Sequence, residues 1–161
     1  MTNDETNLRD LLFKHKSKDL FPGANLPSNQ AWGMVMETAY EDASVTVFCA
    51  TDGSASMYYS NGGGIIGAGE HQDVAELASA IADYSSLFFL PYATQEFCKD
   101  FPYPEMGSTA FYFLSDDGAI KTPEIAEEML GNDESILSPL FHTFHALIGA
   151  IIEHTPQGQD S

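Results

Sequence analysis

Asp52-Gly53 lies between two runs of alternating side chains, and that arrangement leaves few options for the middle of this chain. Before it, Val45, Val47 and Cys49 alternate with Thr46 and Phe48. After it, Ala55, Met57 and Tyr59 alternate with Ser56 and Tyr58. A period of two puts successive side chains on opposite faces of a strand, and Asp-Gly is the strongest short-range hairpin signal. A third run lies upstream, where Trp32, Met34, Met36 and Thr38 alternate with Gly33, Val35, Glu37 and Ala39 before a turn at Tyr40-Glu41-Asp42. Three consecutive antiparallel strands are therefore expected over residues 31–60.

The chain then enters Ser60-Asn61-Gly62-Gly63-Gly64-Ile65-Ile66-Gly67-Ala68-Gly69-Glu70-His71, which holds five of the 13 glycines. Glycine lets another backbone or a ligand approach closely, and a strand, a glycine-rich loop and a helix N-terminus together can cradle an anion. The spacing matches neither G-x-G-x-x-G nor a P-loop with its Gly-Lys-Ser/Thr. A helix is expected from Glu70 to Leu90, with Val74, Leu77, Ala78, Ile81, Ala82 and Phe88 at helical spacing and Pro91 ending it. Glu70 and Asp73 bring negative charge to its first turn, where the helix dipole favours it; this weakens the case for a bound phosphate.

Residues 91–107 are rich in rings (Tyr92, Phe97, Phe101, Tyr103) and are expected to pack onto the body. Thr109 to Leu114 and Ala119 to Lys121 read as a second hairpin about Asp117-Gly118. Thr122 with Pro123 reads as the cap of a helix closed by Gly131, and Ser138-Pro139 as the start of a last helix running to His154. Upstream of all this, Leu8, Leu11 and Leu12 lie on one side of a short amphipathic helix that ends before Phe21-Pro22-Gly23. The reading is α+β: one antiparallel sheet of about five strands, helices mainly on one face, in the order α-β-β-β-α-β-β-α-α. Residues 1–21 form a helical arm, 31–154 a single domain, and 155–161 a polar tail.

Net charge is −18, from 24 acids against 6 lysines and arginines. Four of those six bases (Arg9, Lys14, Lys16 and Lys18) fall within the first 18 residues, so the rest of the chain keeps only Lys99 and Lys121. Nucleic acid and anionic lipid are bound through Lys and Arg, so neither is an expected partner. The opposite charge suits a basic partner, cations or a cationic ligand, but solubility in an acidic proteome is the leading reading of the same charge. The longest apolar run, Ala146 to Ile152, is too short to span a bilayer. The start Met1-Thr2-Asn3-Asp4-Glu5 does not read as a signal peptide. Cys49 and Cys98 are expected to be free thiols in a reducing cytoplasm.

Candidate chemistry is sparse. His142 and His145, three apart on a helix, could reach one ion, but no motif supplies a third ligand, and surface positions on the polar stripe are expected instead. Asp52 and Asp116-Asp117 sit at hairpin tips, where carboxylates make turn hydrogen bonds, and lack the every-second-residue ligands of a calcium loop. Glu70-His71 could serve as an acid–base pair, yet no nucleophile elbow, Ser-x-x-Lys or Cys–His pairing accompanies it. No catalytic residue, metal site or cofactor is therefore assigned. The candidate ligand-binding set is Tyr59, Asn61, Gly62, Gly63, Gly64, Gly67, Gly69, Glu70 and His71, with a structural crossing as the alternative role for the same glycines.

The run Trp32-Gly33, Asp52-Gly53, Tyr58-Tyr59-Ser60-Asn61-Gly62-Gly63-Gly64-Ile65-Ile66-Gly67 and Glu70-His71 resembles an uncharacterised group of small bacterial proteins over about residues 31–90. That resemblance implies a bacterial cytoplasmic protein and carries no activity with it. The order of strands and helices is also similar to roadblock-type and profilin-like domains, from which the extra strand before the first long helix departs. Three functional expectations follow. The first is a non-enzymatic binding or regulatory module acting through protein contacts as a homodimer. The second is a small-ligand site at residues 61–71, and the third an acidic, immunity-type inhibitor of a basic partner.

Overall fold

The computed structural model describes residues 32–65, 67–89, 98–115 and 118–154. The expected N-terminal arm, residues 91–97, the Asp116-Asp117 turn and the polar tail lie outside them. Alternation produces the expected meander: β1 (Gly33–Ala39), β2 (Ser44–Ala50) and β3 (Ala55–Tyr59) pair antiparallel, with Gly33 opposite Ala50 and Val45 opposite Tyr59. Asp52 shapes the turn between β2 and β3 by accepting a 2.9 Å hydrogen bond at Oδ1 from Ser54 N–H. β4 (Gly64–Ile65) follows, then a 3-10 turn (Ala68–Glu70) and α1 (Gln72–Phe89). The second half runs through β5 (Ser108–Ser115), β6 (Gly118–Lys121), β7 (Ile125–Ala126), α2 (Glu127–Gly131) and α3 (Ser138–Glu153). Across the sheet the order is β4-β3-β2-β1-β5-β6, with β7 paired to the start of β5.

The class is α+β with one open antiparallel sheet, as expected, but among the described residues the sheet has seven strands rather than five. Both additional strands are two residues long and carry no alternation that a sequence could display. β4 arises because the glycine stretch folds back as a hairpin onto Met57 and Tyr58. β7 arises where a helix start was expected. Thr122 does not cap a helix: its Oγ1 accepts from Phe111 N–H at 3.1 Å and donates to the carbonyl of Pro123 at 3.1 Å. That keeps the chain extended beside β5, and α2 begins only at Glu127. Glu70 likewise belongs to the 3-10 turn, and α1 starts two residues later. Ser138 is the first residue of α3 rather than its cap, its Oγ accepting from Ser135 N–H at 3.2 Å.

All seven residues of β1 are buried, so the strand is out of water on both faces. On one face Met34, Met36, Val47, Cys49, Phe111 and Phe113 meet the described helices through Val74, Ala78 and Ile81 of α1, Leu130 of α2, and Leu140, Phe144, Leu147 and Ile151 of α3. On the other, Trp32, Val35, Phe48, Ala50, Tyr112, Leu114 and Ala119 form a second cluster, against which Tyr58, Cys98 and Phe101 pack. The aromatic stretch therefore covers part of the sheet: Phe101 lies 5.9 Å from Tyr112 between ring centroids. Cys98 N–H also donates to Ala119 O at 2.8 Å, which occupies one carbonyl on the outer edge of β6.

Several polar side chains buried in these faces bond one another, across strands or along one, as their desolvation requires. Thr38 and Thr109 share a 2.7 Å hydroxyl contact, Ser56 donates to Tyr58 at 2.7 Å, and Thr46 donates to the carboxyl of the fully buried Glu37 opposite it. Thr46→Val keeps shape and β-propensity but removes that donor from Glu37. The expected loss is about 1–3 kcal/mol, read from urea unfolding. A loss below a few tenths would show that Glu37 does not depend on Thr46.

Candidate functional site

The glycine stretch divides between two ends of the sheet. Asn61, Gly62 and Gly63 form the exposed tip of the β3–β4 hairpin, closed by Tyr59 N–H donating to Gly63 O at 3.1 Å and Gly62 N–H to Tyr59 O at 3.1 Å. Gly62 and Gly63 have φ of 111° and 89°, a backbone region that side chains resist. This tip stands beside the β1–β2 turn, with Ser60 N–H donating to Ser44 O at 2.9 Å. Gly67, Gly69, Glu70 and His71 lie beyond β4 at the opposite end, against the β2–β3 turn. A Cβ on Gly69 would collide with the carbonyl oxygen of Gly53, and one on Gly64 with that of Met57. Tyr59, half-buried, packs against the helix-side core. The nine candidate residues thus do not converge on one cradle. Gly64 and Gly69 are where backbones touch.

His71 meets a partner far along the chain. Its ring stacks on that of His154 at 3.9 Å and 7°, and His154 Nε2 lies 2.8 Å from Asp73 Oδ1. The hydrogen bond from His154 holds the Asp73 carboxyl below its ordinary pKa, although Asp73 is exposed. The trio ties the start of α1 to the end of α3. Among the described residues no group of three His, Cys, Asp or Glu side chains is placed to hold a metal ion.

A different set of groups gathers where β1 ends. Gly107 N–H donates to Ala39 O at 2.8 Å, Ala39 bridges Met106, and Glu127 N–H donates to Gly107 O at 2.9 Å. The Tyr40 hydroxyl donates to Glu127 Oε2 at 3.3 Å. Burial and the neighbouring Glu127 raise the Tyr40 pKa, so the phenol stays a neutral donor. The charge of Glu127 also reaches His145 of α3. His145 is half-buried with Nε2 sequestered and unpartnered among the described residues, and its ring rests 4.4 Å from Phe141. Burial depresses its pKa, the Glu127 charge works against that, and His142 adds to the depression. The expected surface position holds for His142, which pairs with Asp133 at 2.9 Å, but not for His145.

Sequence reasoning missed this sheet end because its members come from residues 40, 106, 127 and 145, with no short-range spacing to connect them. The one available signal was composition: Tyr40-Glu41-Asp42 and Glu105-Met106 each set a large apolar side chain beside acids. No family model, curated protein or solved structure matches this chain.

Two outcomes are expected. Gly69→Ala should destabilise by about 1–3 kcal/mol, because the methyl has only backbone to displace. Thermal melts of Gly69→Ala beside the unmodified chain read that loss. For His145, a folded-state pKa below the unfolded value means the unfolded chain binds the extra proton. Stability is therefore full above the ordinary histidine range and declines as pH falls through it. Between about pH 7.5 and about pH 5.5 the melting temperature of His145→Leu should fall less than that of the unmodified chain. Equal falls would remove His145 from the pH response.

Proposed function

We propose that this chain is a non-enzymatic binding module that acts through protein contacts and does so as a homodimer. The observation that carries the reading is the exposure of large apolar side chains at the end of β1. Tyr40 is 40% and Met106 70% exposed on neighbouring segments that backbone hydrogen bonds hold together. Covering such surface is favourable by about 25 cal/mol per Å², and methionine adapts its shape to what covers it. The hydrogen-bonded turns beneath are built to present these side chains rather than to bury them.

The outer side of α3 supports the homodimer. Ala146, Gly149 and Ile152 are exposed there, Ile152 at 52%, and among the described residues no atom lies within 4 Å of a Cβ at Gly149. Small residues on a helix let a second helix approach closely, and two copies of the same face meet around a two-fold axis. A reducing, cytoplasmic setting belongs to the same reading: both cysteines are free, and Cys49 and Cys98 pack on opposite faces of the sheet. No described helix is long and apolar enough to cross a membrane.

Light scattering on the pure protein should return about twice the 17.5 kDa chain mass, and Ala146→Arg should return the single-chain mass with an unchanged circular-dichroism spectrum and a lower melting temperature, because the stabilisation that association gives the folded chain is lost. A strict monomer at high protein concentration would end the homodimer reading.

A further inference from the structure

Resting on that protein-binding reading, we infer that the end of the sheet around Tyr40 and Met106 is a docking surface for a basic segment of a different protein, an amphipathic stretch with apolar anchors flanked by Lys or Arg. Three chain segments converge there: the β1–β2 turn, closed by Tyr40 N–H donating to Ala43 O at 3.0 Å; residues 105–107; and residues 124–128. Besides the links through Gly107, Glu105 N–H donates to Glu124 Oε1 at 3.1 Å, so the three move as one surface. They carry Glu41, Asp42, Glu105, Glu124, Glu127 and Glu128, five of them exposed and Glu127 half-buried. Among the described residues the cation paired with them is Lys121, whose Nζ lies 3.4 Å from Glu124.

This charge pattern selects the occupant. Among the described residues, six carboxylates against one ammonium produce a negative potential that draws in a cationic segment and repels phosphate and anionic lipid. A second copy of this chain meeting the same patch would bring the same six carboxylates face to face, which costs affinity. The homodimer reading therefore uses α3, and this surface stays available in the dimer. A small cation would leave Met106 and Tyr40 uncovered, whereas a peptide covers them with its apolar anchors. Tyrosine supplies both contact area and a ring face for Lys or Arg, and the bond to Glu127 fixes where that ring stands. Methionine tolerates anchors of different shape, so apolar anchors of several kinds can cover this surface. Met129, 44% exposed on the short helix that Glu127 opens, extends the apolar surface beyond the sheet end.

The test uses the full chain and a fluorescent synthetic peptide of about fifteen residues, with leucines at helical spacing and lysines between them. One control has the same composition scrambled so that the leucines share no face, and the other has glutamate in place of lysine. Anisotropy should show saturable binding of the amphipathic basic peptide, weakened at least about tenfold by the scramble and by Tyr40→Ala with Met106→Ala. It should be abolished by the glutamate control. Hydrogen-exchange protection should map to residues 40–43, 105–107 and 124–128. Equal binding of the scrambled peptide, protection elsewhere, or no loss in the double variant overturns the surface. So does a Met106→Glu chain that loses its dimer, because the occupant is then a second copy. Light scattering on the same samples separates the two levels: an intact dimer that ignores the peptide removes only the docking surface, and a monomer that ignores it removes the module reading too.

Discussion

A strand with both faces out of water sets the terms for everything around it. β1 sits between β2 and β5, every one of its residues is buried, and Glu37 lies among them with no exposure at all. Such a strand needs apolar layers above and below and a hydrogen-bond partner for every polar atom it takes inside. The helices supply one layer through α1 and α3, while Phe101 and Cys98 contribute to the other. Cross-strand hydroxyls supply the partners. Because β1 is central, a change on it is felt in both clusters at once.

The glycines are best understood through the same packing demand. A hairpin as tight as β3–β4 needs positive φ at its tip, and a 3-10 turn can lie directly on the β2–β3 turn only if no side chain intervenes. Gly69 against Gly53 is that contact, and it seats the start of α1 on the end of the meander. The stacked rings of His71 and His154 then join this corner to the last turn of α3. One end of the sheet is thus closed by backbone contact and ring stacking.

The other end is arranged differently. There the turns are braced by hydrogen bonds among Ala39, Gly107, Glu105, Glu124 and Glu127, but Tyr40 and Met106 remain exposed among carboxylates. The contrast between a closed end and a presented end is what supports an interaction role. His145, which feels the charge of Glu127, has a buried ring nitrogen with no partner among the described residues.

The alternating runs 33–39, 44–50 and 55–59 and the Asp52-Gly53 turn were legible because strand period and turn chemistry act over a few residues. So were α1, α3 and the free thiols, each from local pattern or composition. Periodicity could not reveal β4 and β7, two residues each, since both exist only because β3 and β5 offer them an edge. Thr122 shows the limit plainly: Thr-Pro suits a helix start locally, yet the amide of Phe111 claims the hydroxyl first. The candidate site followed the same division. Glycine content marked where backbones come close, but which backbones meet, and that Asn61 and His71 stand at opposite ends of β4, was decided by strand pairing. The surface around Tyr40 and Met106 joins residues separated by tens of positions, and only tertiary structure, through long-range hydrogen bonds, brings them into one place.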